Sequence, residues 1–94
     1  MKLVWSPKAK QDLRGIARRI GPHNPRAAKA LIQRIRRAAG LLTQAPQMGR
    51  PGRVEGSREL VISGTFYILP YRIHRGNVEI IAVLHSSQLW PDRF

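Results

Sequence analysis

Residues 58–85 decide the fold. They read Arg58-Glu59-Leu60-Val61-Ile62, then Ser63-Gly64-Thr65, then Phe66-Tyr67-Ile68-Leu69-Pro70-Tyr71-Arg72-Ile73. Past His74, Arg75-Gly76-Asn77 leads into Val78-Glu79-Ile80-Ile81-Ala82-Val83-Leu84-His85. β-Branched and aromatic residues fill the three long runs, and glycine punctuates the gaps between them. Turns this short join antiparallel neighbours, so the segment is a three-stranded meander. Pro70 lacks an N–H and belongs at an edge or a bulge. The side-chain alternation is unusual. Tyr67, Leu69, Tyr71 and Ile73 fall on one face and Phe66, Ile68 and Pro70 on the other. Val78, Ile80, Ala82 and Leu84 oppose Ile81 and Val83 in the same way. Both faces are apolar, and an uncovered apolar face is rare on a monomer.

The first half has the other period. Lys2-Leu3-Val4-Trp5 reads as a short strand. Ser6-Pro7 is a helix start with serine as cap and proline at the first helical position. Ala9, Leu13, Ile16, Ala17 and Ile20 then recur at helical spacing, and Gly21-Pro22 ends the helix. Asn24-Pro25 repeats the start signal. Ala28, Leu31, Ile32, Ile35, Ala38, Ala39 and Leu42 form the apolar stripe of a second helix, closed by Pro46. The link is short, so the helices form an antiparallel hairpin. The expected fold is therefore α+β: an N-terminal strand, then an antiparallel helical hairpin packed on one face of an antiparallel three- to four-stranded sheet, in one domain over residues 1–94. Met48-Gly49-Arg50-Pro51-Gly52-Arg53 reads as a loop. One hairpin covers one face of a sheet. The second face requires either a hairpin that wraps further or a partner.

Charge narrows the partners. The 94 residues hold 17 Lys plus Arg against 5 Asp plus Glu, a net charge of +12. The hairpin carries Lys8, Lys10, Arg14, Arg18, Arg19, Arg26, Lys29, Arg34, Arg36 and Arg37 against Asp12 alone. Such charge density favours a polyanion or an acidic protein as partner. Hydrophobic residues make up 43% of the chain, enough for a core and too many for a disordered basic tail. No cysteine is present, which excludes disulfides, thiol nucleophiles and thiolate zinc sites. No apolar run approaches the ~18 residues of a membrane span. The first residues contain no signal-peptide core. A cytoplasmic protein without membrane attachment is expected.

The chemistry available is limited. His23, His74 and His85 show no metal-ligand spacing, and no phosphate-binding glycine loop precedes a helix. Neither a metal nor a cofactor is expected. Metal-free RNA cleavage is the enzyme class left, with arginines stabilising the phosphorane and a Tyr, His or Glu moving protons. Arg58, Tyr67, Tyr71, Arg72 and His85 are the groups on the sheet for it. The plainer reading makes the tyrosines core aromatics.

The ordered set Trp5-Ser6-Pro7, Asp12-Leu13, Asn24-Pro25, Ala27-Ala28, Pro46, Gly49-Arg50, Arg58-Glu59-Leu60, Tyr67, Tyr71-Arg72-Ile73, Val83-Leu84-His85 and Trp90-Pro91 resembles the ParE toxins of the RelE/ParE superfamily, end to end. The resemblance implies the toxin half of a type II toxin–antitoxin module. It also implies neutralisation by an acidic, ParD-like antitoxin and binding inhibition of DNA gyrase without catalysis. RelE-type toxins instead cleave mRNA on the ribosome. That branch places an arginine directly after the tyrosine of the third strand, where this chain has Ile68. It carries an arginine and a tyrosine after the last strand, where this chain has Ser86-Ser87-Gln88-Leu89-Trp90. Gln88 also departs from ParE-type chains, many of which are basic there. The expected target surface is Arg50, Arg53, Arg58, Trp90, Arg93 and Phe94, with Trp90 alternatively folding back to close the end of the sheet. The expected antitoxin surface is Leu13, Arg14, Arg18, Leu31, Ile32, Arg34, Arg37, Ile81 and Val83. The alternatives to the ParE reading are a RelE-like ribonuclease and a basic nucleic-acid-binding domain.

Overall fold

Both helix starts carry the caps that the sequence signals. In the computed structural model, which describes residues 1–88 and 90–91, α1 spans Pro7–Ile20 and α2 spans Pro25–Leu41. The Ser6 hydroxyl accepts from the Ala9 N–H at 3.0 Å, and the Asn24 carboxamide oxygen accepts from the Ala27 N–H at 3.1 Å. Each bond satisfies one of the N–H groups that a helix start leaves free.

The strands are β1 Lys2–Trp5, β2 Arg50–Pro51, β3 Arg58–Val61, β4 Tyr67–His74, β5 Asn77–Ile80 and β6 Leu84–His85. They form one sheet in the order β1-β5-β4-β3-β2, with β6 also on β4. The β4–β5 turn is Arg75-Gly76, with φ of 52° and 75°. Positive φ at both positions matches a two-residue hairpin to the strand twist. Three features differ from the sequence reading. The sheet is mixed, because β1 runs parallel to β5. The 48–53 loop contains a two-residue strand, β2, antiparallel to β3. The expected last strand, 78–85, is broken at residues 81–83.

Pro70 explains the break. Its carbonyl accepts from the Ile81 N–H at 2.9 Å, so its backbone polar side faces the last strand, and there it has no N–H to give. The register shifts across this point, from Tyr71 opposite Ile80 to Ile68 opposite Leu84, so three residues span the place of two. This is a bulge built around a missing donor. The groups it strands are met from α1 and its cap. The Val83 N–H donates to Asp12 Oδ2 at 2.9 Å, and the Ser6 hydroxyl donates to the Ile81 carbonyl at 2.6 Å. The single acid of the hairpin thus ties α1 to the interrupted strand.

The core lies between the hairpin and one sheet face. Ala9, Leu13, Ile16, Ile35, Ala39 and Leu42 meet Leu60, Ile62, Tyr67, Leu69, Tyr71, Val78, Ile80 and Val83. The second face is covered from within over part of its area. Ile81, Ala82 and Leu84 form a small buried cluster with Trp90 against it, and Ile68 and Pro70 are buried too. The apolar stripes of the hairpin stay in the main core, and Trp90 supplies the cover at this patch.

Candidate interaction surfaces

Glu59 organises the first surface. It is 3% exposed and lies on the second sheet face at the β2–β3 edge. Its Oε1 accepts from Arg50 Nε and Nη2 at 3.2 and 3.0 Å. Its Oε2 accepts from the Arg53 N–H at 2.8 Å and from Arg53 Nε at 3.3 Å. Burial alone would raise the carboxyl's pKa. The Arg53 N–H, the Arg50 hydrogen bond and the two guanidinium charges outweigh it and hold the pKa below the ordinary 4.5. The Arg53 guanidinium in turn sits 3.6 Å from the centre of the Trp90 ring, a close cation–π contact. The Trp90 indole N–H is buried and has no hydrogen-bond partner among the described residues.

Arg58 belongs to the same edge but faces the helix side. Its Nε donates to the Gly49 carbonyl at 3.0 Å and its Nη2 to the Gln47 carbonyl at 3.1 Å. The Tyr71 hydroxyl beneath accepts from the Gly49 N–H at 2.9 Å and donates to the Pro46 carbonyl at 2.7 Å. Residues 46–59 are therefore a fixed, basic edge. Four of the six expected target residues, Arg50, Arg53, Arg58 and Trp90, come together there. Arg93 and Phe94 lie outside the described residues. The sequence reading missed Glu59 as the centre. The available signal was a lone acid in a strand with arginines at 50, 53 and 58.

The second surface is the hairpin. A groove of about 300 Å³ is lined by Trp5, Lys10, Leu13, Arg14, Ala17, Ile32 and Arg36. The Arg36 guanidinium lies 5.8 Å from the Trp5 ring centre. Ile32 and Leu31 are half-buried, while Arg14, Arg18, Arg34 and Arg37 are exposed. Three of the expected antitoxin residues are buried in the free chain. Leu13 and Val83 belong to the main core and Ile81 to the smaller one, so none presents a free side chain. Leu13 forms the floor of the groove, and the bulge turns Val83 inward and Ile81 onto Trp90.

The groups weighed for RNA cleavage are scattered. Tyr71 is fully buried, Arg58 is held by carbonyls, and Arg72 pairs with Glu79 at 2.7 Å. Tyr67 and His85 do meet, with ring centres 5.3 Å apart and edge to face. An arginine from α1 joins them: Arg19 Nη2 donates to the Tyr67 hydroxyl at 2.6 Å. His85 Nδ1 accepts from the Ser87 N–H at 3.1 Å, which leaves Nε2 as the protonated nitrogen of the neutral ring. Gln88 is exposed, and its carboxamide oxygen accepts from the His85 N–H.

The sequence profile described as "ParE toxin of type II toxin-antitoxin system, parDE" matches residues 3–90. The chain belongs to the ParE toxin family. Relatives agree with the match. "Putative toxin Y4kP" of Sinorhizobium fredii is 41% identical over 90 residues, 96% of this chain and 93% of that one. "Toxin RelE2" of Caulobacter vibrioides is 33% identical over 88 residues, 94% and 98% of the two chains. Among solved structures, a chain of the chromosomal ParDE system of P. aeruginosa superposes with a TM-score of 0.83 at 30% identity, covering 90% of this chain and 95% of that one. A chain of the RelBE2 toxin–antitoxin complex of Mycobacterium tuberculosis gives 0.59 at 29% identity, covering 89% and 95%. This ParE-family chain is thus a toxin of the ParE/RelE type with the α+β fold of that group.

Proposed function

We propose that this toxin inhibits DNA gyrase by binding, without catalysis, and that an acidic ParD-like antitoxin neutralises it. The observation that carries the reading is Ile68. The ribonuclease branch has an arginine at this place, and here an isoleucine is closed into the second sheet face. A buried hydrocarbon cannot offer charge to a phosphorane. Gln88 gives its oxygen to the backbone of His85, so it does not replace the missing base after the last strand. The fixed basic edge of Arg50, Arg53 and Arg58 supports a binding surface for the target. The groove between Trp5, Arg14, Ile32 and Arg36 supports an amphipathic acidic segment as antitoxin, with apolar burial on its floor and arginines on its rim.

Ribosome-dependent mRNA cleavage is the second reading. One observation favours it: Arg19, Tyr67 and His85 converge. Purified toxin in a gyrase supercoiling assay, run beside a ribosome-stimulated mRNA-cleavage assay, separates the two. The expected result is lost supercoiling and intact mRNA. Codon-specific cuts that disappear in Arg19→Ala and His85→Ala variants would sink the non-catalytic reading.

A further inference from the structure

His85 on β6 stands opposite Tyr67 on β4. Tyr67 belongs to the main core, so this pair lies on the helix side of the sheet, and Ile68 points to the other face. A pocket of about 360 Å³ opens beside the pair, lined by Arg19, His85, Ser87 and Gln88. That volume falls at the small end of ligand sites, which run from about 300 to about 1,000 Å³. No acidic residue lines the pocket, and Arg19 makes no ion pair among the described residues.

The hydrogen bonds inside the cluster occupy its acceptors and leave its donors. The Tyr67 hydroxyl accepts from Arg19 Nη2, which holds the guanidinium in place with its other N–H groups available. His85 Nδ1 accepts from the Ser87 N–H and has the Ser87 hydroxyl at 2.7 Å. The ring proton therefore sits on Nε2, which meets no acceptor among the described residues. The backbone N–H of His85 can only donate, so Gln88 must turn its carboxamide oxygen to it and keeps its amide N–H groups for other partners. The turn that carries these groups is tied down. The Ser86 N–H donates to the Phe66 carbonyl at 2.7 Å and the Gln88 N–H to the His85 carbonyl at 3.0 Å. Beside His85 stands Phe66, 71% exposed, its ring centre 5.6 Å from that of the imidazole and its plane inclined by 33°. Most of that aromatic surface is left to water.

We propose that this pocket binds a nucleotide through a terminal phosphate, free or at the end of a single strand. Arg19, His85 Nε2 and the Gln88 amide hold the phosphate, and the base lies against Phe66. A guanidinium with two neutral donors and no carboxylate nearby suits a phosphate dianion, whose oxygens only accept. An exposed phenyl ring suits the flat face of any base. The inference concerns binding alone and does not depend on the gyrase, antitoxin or cleavage readings.

The test titrates the full chain, isotopically labelled, with adenosine monophosphate and follows it by NMR. Salt at about 0.15 M limits the reach of surface charge to roughly 8 Å. The side-chain signals of Arg19 and His85 should shift. Adenosine, which lacks the phosphate, should bind at least about tenfold more weakly, and inorganic phosphate, which lacks the base, at least about fivefold more weakly. Arg19→Gln should weaken the monophosphate at least about tenfold, and Phe66→Ser should reduce its affinity to that of inorganic phosphate. Arg75→Asn removes a charge at the far end of β4, where asparagine tolerates the φ of 52°, and should change affinity less than about twofold. If circular dichroism shows Arg19→Gln unfolded through loss of the Tyr67 bond, Gln88→Glu decides instead. It keeps an acceptor for the His85 N–H, sets a negative charge against the phosphate and should weaken binding by a similar factor. A tetranucleotide with a terminal phosphate that binds more tightly than the monophosphate assigns the site to a strand end, and equal affinity assigns it to the free nucleotide. The same tetranucleotide without its phosphate should bind no better than adenosine. Equal losses in Arg19→Gln and Arg75→Asn would mean diffuse attraction to a chain of charge +12 and overturn the proposal. So would a monophosphate that binds no more tightly than adenosine or inorganic phosphate, or binding that leaves the Arg19 and His85 signals unmoved.

Discussion

Replacing Glu59 should loosen the whole basic edge, and the cost follows from its contacts. In Glu59→Ala the Arg53 N–H loses a charged acceptor at 2.8 Å, and bonds of that kind contribute about 1.5–3 kcal/mol. The two guanidinium contacts count for less. Arg50 and Arg53 are about half exposed, so water and salt screen them, and about 0.2–1 kcal/mol each is appropriate. The expected destabilisation is about 2–5 kcal/mol, a large part of the ~5–15 kcal/mol that holds a small domain. In a domain of this size that lowers Tm by roughly 8–40 °C. Glu59→Gln keeps an acceptor for the Arg53 N–H and should cost about half as much. The pH dependence has a definite sign. The folded-state pKa lies below the ordinary 4.5, so the stability from Glu59 is fully present above about pH 4.5 and is lost as pH falls through the folded value. The glutamine variant should lose that part of the acid limb. Thermal melts by circular dichroism between pH 7 and pH 3 measure both effects. A Tm within about 3 °C of the parent for Glu59→Ala, or an unchanged acid limb for Glu59→Gln, would refute the assignment of Glu59 as the organiser of residues 50–59.

Tyr71→Phe removes a hydroxyl that accepts from Gly49 and donates to Pro46, and should cost about 1–3 kcal/mol by chemical denaturation, with the unpaired Gly49 N–H as the main term. In the hairpin groove, Ile32→Glu should leave a folded toxin that releases antitoxin faster, whereas Leu13→Glu should fail to fold because its side chain is in the core. Going from about 0.1 M to about 1 M salt shortens the screening length from roughly 10 Å to roughly 3 Å. Association measured by surface plasmon resonance should then slow markedly while dissociation holds, and a complex that falls apart in 1 M salt would mean that charge rather than apolar burial holds the pair.

Local rules in the sequence set the elements. Ser6-Pro7 and Asn24-Pro25 mark the helix starts because a capping side chain and a fixed proline φ act within three residues. The period-two runs and Arg75-Gly76 set β4 and β5 for the same reason, and the apolar stripes of α1 and α2 name the residues that reach the core. The surfaces were less legible. Arg50, Arg53, Arg58 and Trp90 could be named as candidates, but Glu59, their common partner, reads locally as one more strand residue. The structure alone decided that β1 runs parallel to β5, that Pro70 splits the last strand, that Asp12 crosses to Val83 and that Trp90 closes part of the second sheet face. Each joins residues far apart in the chain, so each depends on which backbone groups and apolar surfaces stay unmatched once the hairpin and the meander have met. Local patterning carries no record of that remainder.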